Sequence, residues 1–274
     1  MPNEFLATGR LDFINKTFNW TSSDTEEEYL NAIKTKEIPY GPGDITYRYN
    51  NYGFRCDDFF DYHTTPYRVV FAGCSMTEGI GVALDDLWAK QMHRMICEKL
   101  GVQIPYWNVA TAGAGLDHLV RYLYNLKDLL RPQIVISYLP SNVRRERWNG
   151  DHWSVWEAPE GEQLFWKWPI KVDKKVETFM NERYIEYQTE KNFAMLDMIL
   201  NELDCMFLYS SSMENFSISN YIHSPRYIQR DHVPEQYDFG RDGIHAGPKT
   251  NTIMAERAFE FFWPTIEQRL TITK

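Results

Sequence analysis

From Tyr67 onward, short apolar runs alternate with longer stretches whose apolar residues recur at helical spacing. RVVFAG (68–73) has the length and continuity of a strand buried on both faces. LDDLWAKQMHRMICEKLG (84–101) places Leu84, Leu87, Trp88, Met95 and Ile96 along one side of a helix. The unit repeats: YWNVA (106–110) predicts a second strand, LDHLVRYLYNLKDLL (116–130) a second amphipathic helix, and QIVISYL (133–139) a third strand. Alternating β and α elements imply an α/β domain whose parallel sheet is covered on both faces. After Asn142 the alternation stops. Residues 143–188 read as an insertion, carrying Trp148, Trp153, Trp156, Trp166 and Trp168, five of the nine tryptophans. The core pattern resumes with a helix near 189–203, a strand CMFLYSS (205–211), a loop-rich stretch, and a last helix from about Thr250 to Leu270. Residues 1–66 are polar, aromatic and irregular, so they are expected to form an extended arm packed on a domain at 67–274.

Composition narrows the partners. The net charge of −9 opposes binding to nucleic-acid backbones or anionic lipid, both of which call for a positive field. No apolar run is long enough to cross a membrane, and MPNEFLATGRLDF lacks the basic start and apolar stretch of a standard secretion signal, which favours a cytoplasmic setting. Cys56, Cys74, Cys97 and Cys205 are scattered without CxxC or Cys/His spacing, as expected of reduced thiols rather than a zinc site. Aromatic residues make up 15% of the chain, an excess that serves either a packed core or a sugar-binding cleft.

In open parallel sheets the site forms where loops leave the carboxyl ends of strands. The first such loop is GCSMTEGIG, where Gly73 frees the chain to turn and Ser75 lands at the strand end. Its backbone amides enter the next helix, where they can face a developing oxyanion. The second, NVATAGAG (108–115), contains Gly113 and Gly115, which permit close backbone approach to a small anionic centre. The third, LPSNV (139–143), offers the Asn142 amide to the same oxyanion. Each also has a plain reading as a turn or cap. A fourth element, DGIH (242–245), sets Asp242 three residues before His245. A serine hydroxyl needs a base to take its proton, and that imidazole needs a third group to hold its tautomer. The alternative is that Asp242 caps a turn and His245 opens a helix.

Taken together, the four loops resemble the conserved blocks of the SGNH hydrolase superfamily, the GDSL-like esterases and lipases, over residues 68–142 and 240–262. GCSMT looks like the first block with Ser75 as nucleophile, Gly113 follows Asn108 by the five residues of the second, Asn142 falls in the third, and Asp242 and His245 match D-x-x-H. The stretch YNNYGFRCDDF (49–59) looks like an N-x-x-G-F-R lead-in found in one branch of such proteins. Cys74 stands for the usual aspartate, Pro140 for the glycine of the third block and Val143 for its aspartate. The resemblance implies a three-layer α/β/α sandwich of flavodoxin-like type. It further implies a serine esterase with Ser75, His245 and Asp242 as triad and with Ser75, Gly113 and Asn142 as oxyanion donors. No cofactor or metal is called for, and the expected partner is a small-molecule or glycan ester, most naturally an O-acetyl ester. The same residues serve a sugar O-acyltransferase, and they can persist in a non-catalytic glycan-binding module.

Competing sites are weaker. An α/β-hydrolase elbow requires glycine where Thr77 stands. Cys74 ends a buried apolar strand, where thiols are usually inert, and a metal site from His223, His232, His245 and Asp242 has no recognisable spacing. Beside Asn142, Arg144, Arg145, Trp148 and Trp153 are candidates for binding an anionic or sugar portion of the substrate.

Overall fold

The computed structural model describes residues 9–140, 144–148, 153–157, 182–211, 224–230 and 235–271. In the N-terminal segment, β1 (Thr17–Phe18) pairs antiparallel with β2 (Tyr47–Arg48), and α1 (Glu26–Ala32) lies between them. Thr25 and Glu28 close a reciprocal capping box at the start of α1, through Glu28 N–H to Thr25 Oγ1 at 3.1 Å and Thr25 N–H to Glu28 Oε2 at 2.9 Å.

The central sheet uses β3 (Val69–Gly73), β4 (Trp107–Asn108), β5 (Ile134–Leu139), β8 (Met206–Ser211) and β9 (Tyr227–Arg230). All are parallel, in the order β4–β3–β5–β8–β9. Every residue of β3 and β5 is buried, as continuous apolar runs require when helices cover both faces. The helices are the short α2 (Ser75–Glu78), α3 (Trp88–Leu100), α4 (Leu116–Leu130), α5 (Glu182–Leu203) and α6 (Pro248–Thr271). α3 packs with α6 and α4 with α5, giving a helical layer on each side of the sheet. From β3 the chain moves outward to β4, then crosses back to place β5 on the other side. The strand order therefore reverses between β3 and β5, the position beyond whose carboxyl ends open α/β sheets place their ligand sites.

Several boundaries differ from the sequence reading. The helix expected over 84–101 breaks at Leu87 into a 3-10 turn (Leu84–Asp86) and α3, because the Trp88 amide is taken by the Asn251 side chain at 3.0 Å. α5 begins seven residues before the expected 189, and β9 lies within the stretch read as loops. The insertion contains an antiparallel hairpin of β6 (Arg144–Trp148) and β7 (Trp153–Glu157), in which Trp148 is in register with Trp153. Among the described residues no helix is long and apolar enough to cross a membrane.

His93, on the buried side of α3, illustrates how the core titrates. Its Nε2–H donates to the Ile104 carbonyl at 2.9 Å, and burial, reinforced by Lys90, lowers its pKa to about 4. Between about pH 4 and its ordinary value of 6.5 the unfolded chain binds a proton that the folded chain refuses. Stability is therefore full above 6.5 and falls as the pH drops towards 4, by about 3 kcal/mol from this group. In urea unfolding at pH 7, 5.5 and 4, His93→Gln, which keeps a donor for Ile104, is expected to lose less stability over this interval than the parent chain.

Candidate active site

Ser75 opens α2, one residue after β3 ends, and is half-buried. The first amides of a helix have no partner within it. Here the Thr77 and Glu78 amides both turn back to the Cys74 carbonyl at 2.9 Å, while the Ser75 and Met76 amides bond to none of the described residues. Cys74 is a buried free thiol that precedes the helix.

The loop after β4 is tied to α2. Asn108 Nδ2 donates to the Thr77 carbonyl at 2.7 Å, and Glu78, fully buried, accepts the Ala112 amide on Oε2. Residues 111–114 form a turn closed by Ala114 N–H to the Thr111 carbonyl at 3.0 Å, with Gly113 in its third position at φ 79°. A type II turn requires positive φ at that position, which glycine adopts without strain. Gly113 is half-buried and its amide bonds to none of the described residues. A side-chain carbon at Gly115 would meet the Arg144 carbonyl, so the glycine admits β6 at close range. Asn142 lies outside the described residues.

The Asp242–His245 pair sits on a tight turn that closes on itself. Asp242 Oδ1 accepts the amides of Ile244 at 3.1 Å and His245 at 3.0 Å, and Gly240 N–H donates to the His245 carbonyl at 2.8 Å. With one carboxylate oxygen held by the backbone, the other, Oδ2, accepts from His245 Nδ1. A carboxylate can only accept, so Nδ1 carries a proton, and in the neutral imidazole Nε2 is then the nitrogen with the lone pair. Asp242 is buried, whereas His245 is part-exposed. The turn reaches the α2 loop through Arg241 N–H, which donates to the Gly81 carbonyl at 2.7 Å; a side-chain carbon at position 81 would stand 2.8 Å from Asp242 Oδ1. The loop carrying Gly113 and the turn carrying Asp242 and His245 are thus each bonded to the segment that Ser75 opens.

The N-terminal segment supplies contacts to these loops that the sequence did not reveal. Arg241 and Asp24 form an ion pair with both side chains fully buried, Nη2 to Oδ2 at 2.7 Å. The same guanidinium donates to the Pro42 carbonyl at 2.8 Å and stacks 3.8 Å from the Trp20 ring centre. Tyr47 donates to Asp24 and accepts the Gly81 amide at 2.9 Å, and Lys36 donates to the Gly243 carbonyl. In the N-x-x-G-F-R stretch, Asn50 Oδ1 accepts the amides of Tyr52 at 2.9 Å and Phe54 at 3.0 Å. Arg55 donates to the carbonyls of Gly79 and, at 3.0 Å, Val82, just past α2. The signals in the sequence were the N-x-x-G-F-R pattern, the arginine beside Asp242 and the single charge of Glu78 in its loop.

The hairpin is seated on α4. Gly115 N–H donates to His118 Nδ1 at 3.2 Å, which leaves Nε2–H to face Glu146 Oε1 at 3.2 Å. Burial, helped by Arg121 and Arg144, holds the His118 pKa well below the usual imidazole range; burial also raises the Glu146 carboxyl despite the Arg121 guanidinium 2.6 Å away. Arg144 is half-buried at this junction, while the side chains of Arg145, Trp148 and Trp153 lie outside the described residues, as do His223 and His232. Among the described residues no group of three or more His, Cys, Asp or Glu is arranged to hold a metal ion.

No family model matches the chain. No curated protein matches it either. Solved structures similar to it include TesA, at 13% identity over 73% of this chain and 98% of that one, with a TM-score of 0.43. A psychrotrophic esterase EstA from Pseudoalteromonas sp. is similar at 9% identity over 73% and 98%, with a TM-score of 0.46. A two-domain esterase (CEX) active on acetylated mannans is similar at 12% identity over 73% of this chain and 50% of that one, with a TM-score of 0.45.

Proposed function

We propose that the chain is a serine esterase of SGNH type that hydrolyses an O-acyl ester, an O-acetyl group on a carbohydrate being the favoured substrate. The observation that carries the reading is the His245–Asp242 pairing, which commits Nδ1 to the carboxylate and in the neutral imidazole leaves Nε2 as the base, on a turn bonded through Arg241 N–H to the Gly81 carbonyl just past α2. His245 Nε2 removes the Ser75 proton as the oxygen attacks the ester carbonyl. The amides of Ser75 and Gly113, together with Asn142, receive the oxyanion. The alkoxide leaves with the proton returned by His245, and water activated by the same imidazole releases the acid from the acyl-enzyme. The carbohydrate assignment draws support from the tryptophan-rich insertion, whose hairpin starts just beyond β5 and is fixed to α4 beside the Gly113 turn.

Hydrolysis of p-nitrophenyl acetate by the parent chain and Asp242→Asn tests the relay. An asparagine in this position offers an N–H where the carboxylate accepted one, which favours the wrong imidazole tautomer. kcat is expected to fall about 10⁴-fold with the fold intact. Turnover within about tenfold of the parent would remove Asp242 from the mechanism.

A further inference from the structure

Glu78 is a carboxylate with no exposed surface, three residues beyond the nucleophile, and it bonds to neither Ser75 nor His245. It joins three parts of the molecule. It belongs to α2; its Oε1 accepts the Tyr49 hydroxyl at 2.7 Å and its Oε2 lies 4.0 Å from Arg10 Nη2, both from the N-terminal segment; and Oε2 accepts the Ala112 amide of the loop after β4. Burying an ionised carboxylate is costly unless its oxygens are satisfied, so a neutral acceptor would be the cheaper choice for simply closing a loop. A charge-assisted acceptor holds an amide at roughly twice the strength of a neutral one.

The amide it holds has a specific place. Ala112 is the second residue of the 111–114 turn, and the next peptide presents the Gly113 N–H. Holding Ala112 N–H anchors the peptide before Ala112, and with the Ala114–Thr111 bond closing the turn it restricts how the next peptide, which presents Gly113 N–H, can rotate. On the strength of these contacts, we propose that Glu78 is a positioning residue which, held by Tyr49 and Arg10, orients the Gly113 amide towards the oxyanion. The N-terminal segment thereby becomes part of the catalytic apparatus. This inference rests on the esterase reading above.

The test is a double-mutant cycle on p-nitrophenyl acetate hydrolysis, with Ser75→Ala as the reference for the reading itself. Glu78→Met keeps the volume and removes both acceptors. Ala112→Pro deletes the N–H at a turn position that accepts proline. Each is expected to lower kcat roughly ten- to hundred-fold, somewhat less than deleting an oxyanion donor outright, with KM changed less than about threefold. The double variant is expected to be no slower than the slower single, because both remove one shared bond. Glu78→Gln is expected to recover most of the loss, since its carbonyl oxygen can accept Ala112 N–H while its amide donates to the Tyr49 oxygen. If Glu78→Met folds poorly, Ala112→Pro and Glu78→Gln still decide the matter. Parent-like kcat in Glu78→Met or Ala112→Pro, single losses that multiply in the double, or Glu78→Gln as slow as Glu78→Met overturns the role of Glu78. When Ser75→Ala is inactive, such a result leaves the esterase reading standing. Full activity in Ser75→Ala overturns that reading and this inference together.

Discussion

Ser75→Ala is expected to lower kcat for a simple ester by about 10⁴- to 10⁶-fold, with substrate binding little changed, and His245→Ala by a similar factor. The double variant should be scarcely slower than either single one. Nucleophile and base act as one unit, and losing either leaves only the oxyanion donors and binding contacts. Steady-state kinetics of the three variants, with folding checked by circular dichroism, read both the size of the loss and its failure to multiply. An Asp242 fixed by two backbone amides before it meets the imidazole is what makes the second expectation firm.

The largest expected effect on stability comes from Arg241. Its partner Asp24 and the arginine itself are fully buried, and the guanidinium also satisfies backbone carbonyls of the N-terminal segment. Arg241→Met strands the Asp24 carboxylate in the interior, a change that typically costs about 3–5 kcal/mol. Asp24→Leu combined with Arg241→Met should cost less than Arg241→Met alone, because the uncompensated charge is gone. Urea unfolding of the parent, the single and the double variant measures this. Because Arg241 adjoins Asp242 and its amide binds the Gly81 carbonyl, the single variant should also lose turnover before it loses its fold.

How much of this was legible in the sequence depended on the reach of the interaction. β3, β5 and β8 were readable because strands covered on both faces must be continuously apolar. β9, with the sequence YIQR, sits at the sheet edge and shows no such run. β6 was hidden by its charges, Arg144, Arg145, Glu146 and Arg147, one of which, Glu146, is consumed in seating the hairpin on α4. The loops carrying Ser75, Gly113 and Asp242–His245 stand out in the sequence because they leave strand ends or carry a short local spacing. Asp24 and Tyr47 do not, and Tyr49 and Arg55, although they lie in the N-x-x-G-F-R stretch, do not reveal their partners. They act on partners tens to hundreds of residues away, from a segment with no periodicity to register them, as the 217-residue separation of Asp24 and Arg241 illustrates. For the same reason the packing of Gly115 against the Arg144 carbonyl was not readable.

The nucleophile itself is tested most directly by treating the chain with a fluorophosphonate and locating the adduct by peptide mass spectrometry. A phosphonyl group on Ser75, lost in His245→Ala, is the predicted result. Efficient ester hydrolysis with no adduct on Ser75, or with the adduct on another residue, contradicts the account.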